Sequence, residues 1–145
     1  MAFRFPLAIV LRLRQSLERR EELALKTIAF ECEQCRWSIE RLSEQIVEAE
    51  KAREQMLRQP TSAFQLQSLL VEARVVAEQR RGLIDSLVLL ERKRAEQLEV
   101  YRGARRDRQI LSDLRSRKRE EFNLQLDRAQ QKRIDDIFAA RAHRS

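Results

Sequence analysis

The sequence predicts an all-α fold: a long antiparallel two-helix coiled coil, or helical hairpin, with a C-terminal helical overhang. Three observations predict it. Among 145 residues there are only two glycines and two prolines, so turns must be very few. Charged residues make up 37%, and Arg, Glu, Leu, Gln and Ala dominate, the composition of long helices and coiled coils. Apolar residues also recur in alternating steps of four and three, the spacing of a seam between two helices. Such helices bury a seam rather than a rounded core, so residues 1–145 read as a single coiled-coil domain.

The first helix is expected over about residues 7–58. Pro6 suits its first turn, where a missing N–H costs nothing, and no Gly or Pro intervenes before Pro60. Ile28, Cys32, Cys35, Ile39, Leu42, Ile46, Ala49, Arg53 and Met56 keep a strict four–three spacing for about four heptads, with one charged member. Before Ile28 the apolar pattern broadens to include Leu17, Leu23, Ala24 and Leu25, which suggests a local stutter. A turn is expected at about 59–62: Pro60 biases Gln59 away from helical geometry, and Thr61 or Ser62 can cap the second helix.

That second helix is expected over about 63–140. Leu66, Leu69, Ala73, Val76, Leu83, Leu87 and Leu90 form one stripe, continued by Leu98, Tyr101, Ala104, Leu111 and Leu114. Gly82 and Gly103 each cost about 1 kcal/mol relative to Ala and can permit bends without ending the helix. With one turn centred near residue 60, antiparallel counting sets Leu7 opposite roughly position 113. Residues 115–145 then form an overhang without an intramolecular partner, on the order of 40 Å long if helical. It still carries Phe122, Leu126, Ala129, Ile134, Ile137 and Phe138. An isolated helix is marginal in water, so these apolar residues predict a partner-binding tip.

Charge adds to that expectation. The net charge is +7, and residues 105–145 hold 12 basic against 7 acidic groups, a balance suited to an acidic protein surface, a nucleic acid or an anionic membrane. The opening apolar run, Leu7 to Leu11, is too short for an export signal and is followed by Arg12 and Arg14. Nothing approaches a membrane span of about 20 apolar residues, and a cytoplasmic protein is expected. Cys32 and Cys35 read as small seam residues, because zinc needs four ligands and the one histidine, His143, lies near the chain end. Neither a cofactor nor a metal is expected. The sequence offers no phosphate-cradling glycine loop and no nucleophile with a base and a third member, so no catalytic residue is assigned and no enzymatic activity or small-molecule substrate is expected. Leu23, Phe30 and Trp37, seven residues apart on the face opposite the seam, form a possible partner stripe.

Two stretches, Phe3 to Arg14 at the opening and Arg128 to Arg141 at the close, resemble the flagellar export protein FliJ family and, more distantly, the central-stalk, YscO-like proteins of related type III secretion systems. The opening Phe3-Arg-Phe5-Pro-Leu7, followed by Val10-Leu11 and Arg14, is similar to the family's usual start. The closing Arg128-Ala-Gln-Gln131-Lys132-Arg-Ile-Asp135-Asp136-Ile-Phe138-Ala-Ala-Arg141 is similar to its end, with Asp136 where many relatives carry Glu. The resemblance implies a non-enzymatic stalk and coupling factor of flagellar protein export, with roles in export-chaperone handling, flagellum assembly and motility. It implies three partners: the hexameric export ATPase, the cytoplasmic domain of the membrane export gate, and export chaperones. By the same resemblance, Arg128, Gln131, Lys132, Asp135 and Phe138 face the ATPase, and Leu69, Ala73, Val76 and Arg80 lie in the gate-binding segment, where seam packing is an equal alternative. Membrane association would be peripheral, through the gate. Two other readings stay open. One is a basic nucleic-acid-binding coiled coil, although the tail lacks the aromatic platform of single-strand binders and no nucleic acid is expected. The other is a homodimeric scaffold.

Overall fold

The structure, a computed structural model, describes residues 2–144. Those residues form two helices and no strand: α1, Ala8–Leu57, and α2, Ala63–Arg144. The helices pack against each other as an antiparallel pair. Pro6 sits in a turn just before α1, in which the Ala8 N–H donates to the Phe5 carbonyl at 3.1 Å, with proline at the position whose φ the turn requires.

The connection between the helices divides its work between two hydroxyls. The last turn of α1 tightens, with Arg58 N–H donating to Gln55 O and Gln59 N–H to Met56 O at 3.3 and 3.2 Å. Pro60, which has no N–H to give, stops it. The Thr61 hydroxyl turns back to the same Met56 carbonyl at 2.6 Å, giving this helix-end acceptor a second donor. Ser62 is the cap of α2: its Oγ accepts the Gln65 N–H at 3.3 Å, as N-cap chemistry requires. The sequence allows either residue to cap; the structure assigns Ser62.

The chain divides into two compact units, Glu21–Tyr101, and Met1–Arg20 with Arg102–Ser145. In the first, Cys32 and Cys35 are buried, flanked along α1 by half-buried Leu25, Ile28, Ile39, Leu42 and Ile46. Opposite them Leu66, Leu69, Ala73, Val76, Leu83, Leu87 and Leu90 of α2 are half-buried. The Cys35 thiol donates to the Leu83 carbonyl at 3.2 Å. Ala49 keeps the seam spacing but stays exposed, because two small residues, Ala49 and Ala73, leave a shallow hollow between Ile46, Leu69 and Val76.

In the second unit Leu11 is buried, and Leu17, Ala104, Leu111, Leu114 and Phe122 are half-buried. The Phe3 and Phe122 rings meet with centroids 5.7 Å apart and planes tilted at 51°, within the favoured range for aromatic pairs. Antiparallel counting alone puts Phe122 on the overhang; the residues ahead of α1 reach it and move the limit of coverage outward.

The stutter expected before Ile28 is not needed. Among the described residues, covered positions of α1 continue back through Leu25, Glu21, Glu18, Arg14 and Leu11 in unbroken four–three steps. The apolar pattern breaks there because charged residues occupy the seam. In all, 12413 Å² remains exposed, whereas a globular chain of this mass exposes about 7,800 Å². About half of the roughly 25,000 Å² that the unfolded chain would expose stays in water, and side surfaces and the uncovered end of α2 are where function must be sought.

Candidate partner-binding surfaces

Within its unit, α2 continues as helix to Arg144, but every described residue from 123 onward is exposed. Ile134, Ile137 and Phe138 are among the exposed large apolar residues, Phe138 at 65%. Helical periodicity sorts the end of α2 into two adjoining rows. Arg128, Lys132 and Asp135 form one, at steps of four and three. Gln131, Ile134 and Phe138 form the other. The rows are tied where Gln131 Nε2 donates to Asp135 Oδ1 at 3.0 Å. This surface offers cationic groups beside an apolar strip, suited to a protein partner that supplies acidic groups and a hydrophobic surface. Arg128, Gln131, Lys132, Asp135 and Phe138 are therefore together and accessible.

The other resemblance-derived set lies elsewhere. Leu69, Ala73 and Val76 are half-buried against Ile46, Ala49 and Arg53 of α1, and Arg80 Nε donates to Ser43 Oγ at 2.8 Å. All four are in the seam and face α1. The opposite side of the same stretch carries Phe64, Val71 and Val75, all exposed, Phe64 at 78%. Their spacing of seven and four puts them on one side of the helix. Sequence reading passes over them because the seam spacing absorbs the apolar residues nearby.

Leu23, Phe30 and Trp37 are 64%, 64% and 67% exposed, on the side of α1 away from Ile28, Cys32 and Cys35. The two cysteines are free thiols in the seam. Among the described residues no three or more His, Cys, Asp or Glu gather to hold a metal.

Polar seam positions carry specific partners that the sequence does not announce. Arg108 grips Glu18 through Nε at 2.6 Å and NH2 at 3.2 Å. That hydrogen-bonded fork holds the Glu18 carboxyl below its ordinary value of 4.5 against the opposing effect of burial, and the charges of Arg108, Arg105 and Arg19 act in the same direction. In the same unit Arg14 meets Asp107 at 3.3 Å. In the unit Glu21–Tyr101, Gln97 Nε2 donates to both the carbonyl and carboxylate of Glu21, at 3.1 and 2.6 Å. The overlooked signal is the four–three spacing itself, which runs in phase through Glu18 and Glu21.

A family model described as flagellar FliJ protein matches residues 3–145. The chain belongs to the flagellar FliJ family. Searches of curated proteins and of solved structures give no match. FliJ membership makes this chain a component of the flagellar export apparatus. No helix of this FliJ-family chain, among the described residues, is long and apolar enough to cross a membrane. Its exposed features are helix surfaces, and an amphipathic helix surface is one recurring element of protein recognition.

Proposed function

We propose that this chain acts as a stalk and coupling factor between the export ATPase ring and the membrane export gate, and that it takes part in export-chaperone handling, flagellum assembly and motility. The observation that carries the reading is the uncovered end of α2. A helix that continues for 22 residues beyond Phe122, fully exposed, keeps apolar side chains that nothing in its own unit covers. Arg128, Gln131, Lys132, Asp135 and Phe138 are the ATPase-facing residues: the cations capture an acidic rim, and Phe138 with Ile134 gains grip by burial. The protein works in the cytoplasm and reaches the membrane through the gate.

Gate contact belongs to the first part of α2. Since α1 occupies Leu69, Ala73, Val76 and Arg80, an intact hairpin offers the gate Phe64, Val71 and Val75 instead. Contact through the seam set would require the helices to separate locally. Val71→Asp with Val75→Asp abolishes gate pull-down if the outer side binds; Leu69→Ala with Val76→Ala does so selectively if the seam opens.

The deciding experiment for the main reading is stimulation of the purified export ATPase by the full chain and by the chain lacking residues 123–145. The truncated chain is expected to stay helical and lose stimulation, and Phe138→Ala is expected to weaken it at least tenfold. Undiminished stimulation by the truncated chain would sink the assignment of this end.

A further inference from the structure

Leu23, Phe30 and Trp37 are too large and too regularly placed to be scattered surface residues. All three stand on one side of α1, one heptad apart, and each leaves about two thirds of its surface in water. Their neighbours along the helix are ordered by charge. On one flank of the stripe Lys26 precedes Phe30 by four residues and Glu33 follows it by three. On the other flank the equivalent positions are Thr27 and Gln34, both uncharged.

This order is complementary to itself in one orientation. Consider two α1 helices packed antiparallel about a two-fold axis at Phe30. Residues on one flank then face the same flank of the other copy, with the axial direction reversed. Lys26 lies about 6 Å from the Phe30 level on one side and Glu33 about 4.5 Å on the other. Each Lys26 therefore falls beside the other copy's Glu33, within about 1.5 Å along the axis. Phe30 meets Phe30, and Leu23 meets Trp37, so large rings and a smaller branched chain alternate across the contact. A parallel two-fold pair would instead bring opposite flanks together, setting Lys26 beside Thr27 and Glu33 beside Gln34 of the other copy, with no charge pairing gained. Within one copy Lys26 pairs with Glu22 at 3.3 Å and Glu33 with Arg36 at 2.7 Å. Exposed pairs of this kind are worth little and do not hold those side chains back.

The area is adequate for a weak, specific contact. Three such side chains expose on the order of 400 Å² per copy, so pairing removes about 800 Å² before flanking residues are counted. Specific interfaces begin near roughly 1,200 Å² in total, within reach once Lys26, Thr27, Glu33, Gln34 and the aliphatic stems beside them are covered.

We propose that Leu23, Phe30 and Trp37 form a self-association surface on which a second copy of this chain docks antiparallel through its own stripe. The contact uses neither the seam nor residues 123–144, and it stands independently of the ATPase and gate assignments.

Sedimentation equilibrium of the full chain tests it first. A monomer–dimer equilibrium is expected in the micromolar range; a pure monomer at roughly 100 µM overturns the proposal. Phe30→Asp is expected to abolish dimer while leaving the circular dichroism spectrum helical. Lys26→Glu and Glu33→Lys are each expected to weaken dimerisation several-fold, and the double exchange to restore it. Failure of the double variant to recover rejects the antiparallel register. Oxidative cross-linking in a Cys32→Ala/Cys35→Ala background gives a geometric readout. Phe30→Cys is expected to link to itself, and Leu23→Cys to link to Trp37→Cys but not to itself. Efficient self-linking of Leu23→Cys would indicate a parallel pair and overturn the proposal.

Discussion

Glu18 occupies a position where the seam spacing asks for an apolar side chain, and its carboxylate is accepted there because Arg108 meets it with two donors. Because Arg108 lowers its pKa in the folded chain, its contribution is fully present above the ordinary carboxylate value of 4.5. The contribution is lost as pH falls from there through the lowered folded value. Glu18→Gln is expected to reduce stability by about 1 kcal/mol at neutral pH, and the gap to the wild type should narrow at an acidic pH below 4.5. Urea unfolding of both chains at the two pH values measures this; a gap independent of pH would show that the charge of Glu18 contributes nothing. The neighbouring Leu11, 3% exposed, has no such dependence. Leu11→Ala is expected to cost about 2–3 kcal/mol at any pH, at the lower end for a buried leucine because a narrow seam can partly collapse.

At the scale of the element, α2 runs from Ala63 to Arg144 without interruption, through both Gly82 and Gly103. Neither glycine has a positive φ, and a Cβ built on either meets nothing within 4 Å. Nothing in the local packing requires glycine at either position. Gly82→Ala and Gly103→Ala are therefore each expected to stabilise the chain by about 0.5–1 kcal/mol, read as a higher denaturation midpoint with unchanged helicity. Destabilisation by either would reveal a bend or close approach needed by the folded chain. Helix boundaries were legible because Pro60, Thr61 and Ser62 concentrate the only strong breaking and capping chemistry in the middle of the sequence. The division of labour between the two hydroxyls was not legible, since either residue type can make either bond.

Across the whole chain, the decisive quantity is where coverage of α2 stops. Residues 123–144 are exposed, while Phe122 has Phe3. Removing 123–145 is accordingly expected to subtract helical signal without shifting the unfolding midpoint of the rest. Removing 115–145 should lower stability by about 1–2 kcal/mol, because it also removes Phe122 and its aromatic contact. Equal midpoints for the two truncations would mean that the Phe3 and Phe122 rings contribute nothing. The charge excess of the last quarter was visible by counting. Its position beside exposed Ile134, Ile137 and Phe138 makes it a candidate binding surface rather than only a solvated face.

The sequence by itself determined that two helices form, where they break and which apolar residues make the seam. These follow from local turn chemistry and from a heptad period that only a helix pair can bury. It also placed the ends of the chain in resemblance to one family. Only the tertiary structure decided which charged residues share the seam, because Glu18 and Glu21 are tolerated solely through partners some ninety and seventy-six residues away. It alone put Leu69, Ala73, Val76 and Arg80 against α1, with Phe64, Val71 and Val75 exposed on the opposite side. It also fixed Phe122 as the last covered residue of α2. Each of these depends on the register between two helices, and register is a property of the packed pair that no single stretch of sequence carries.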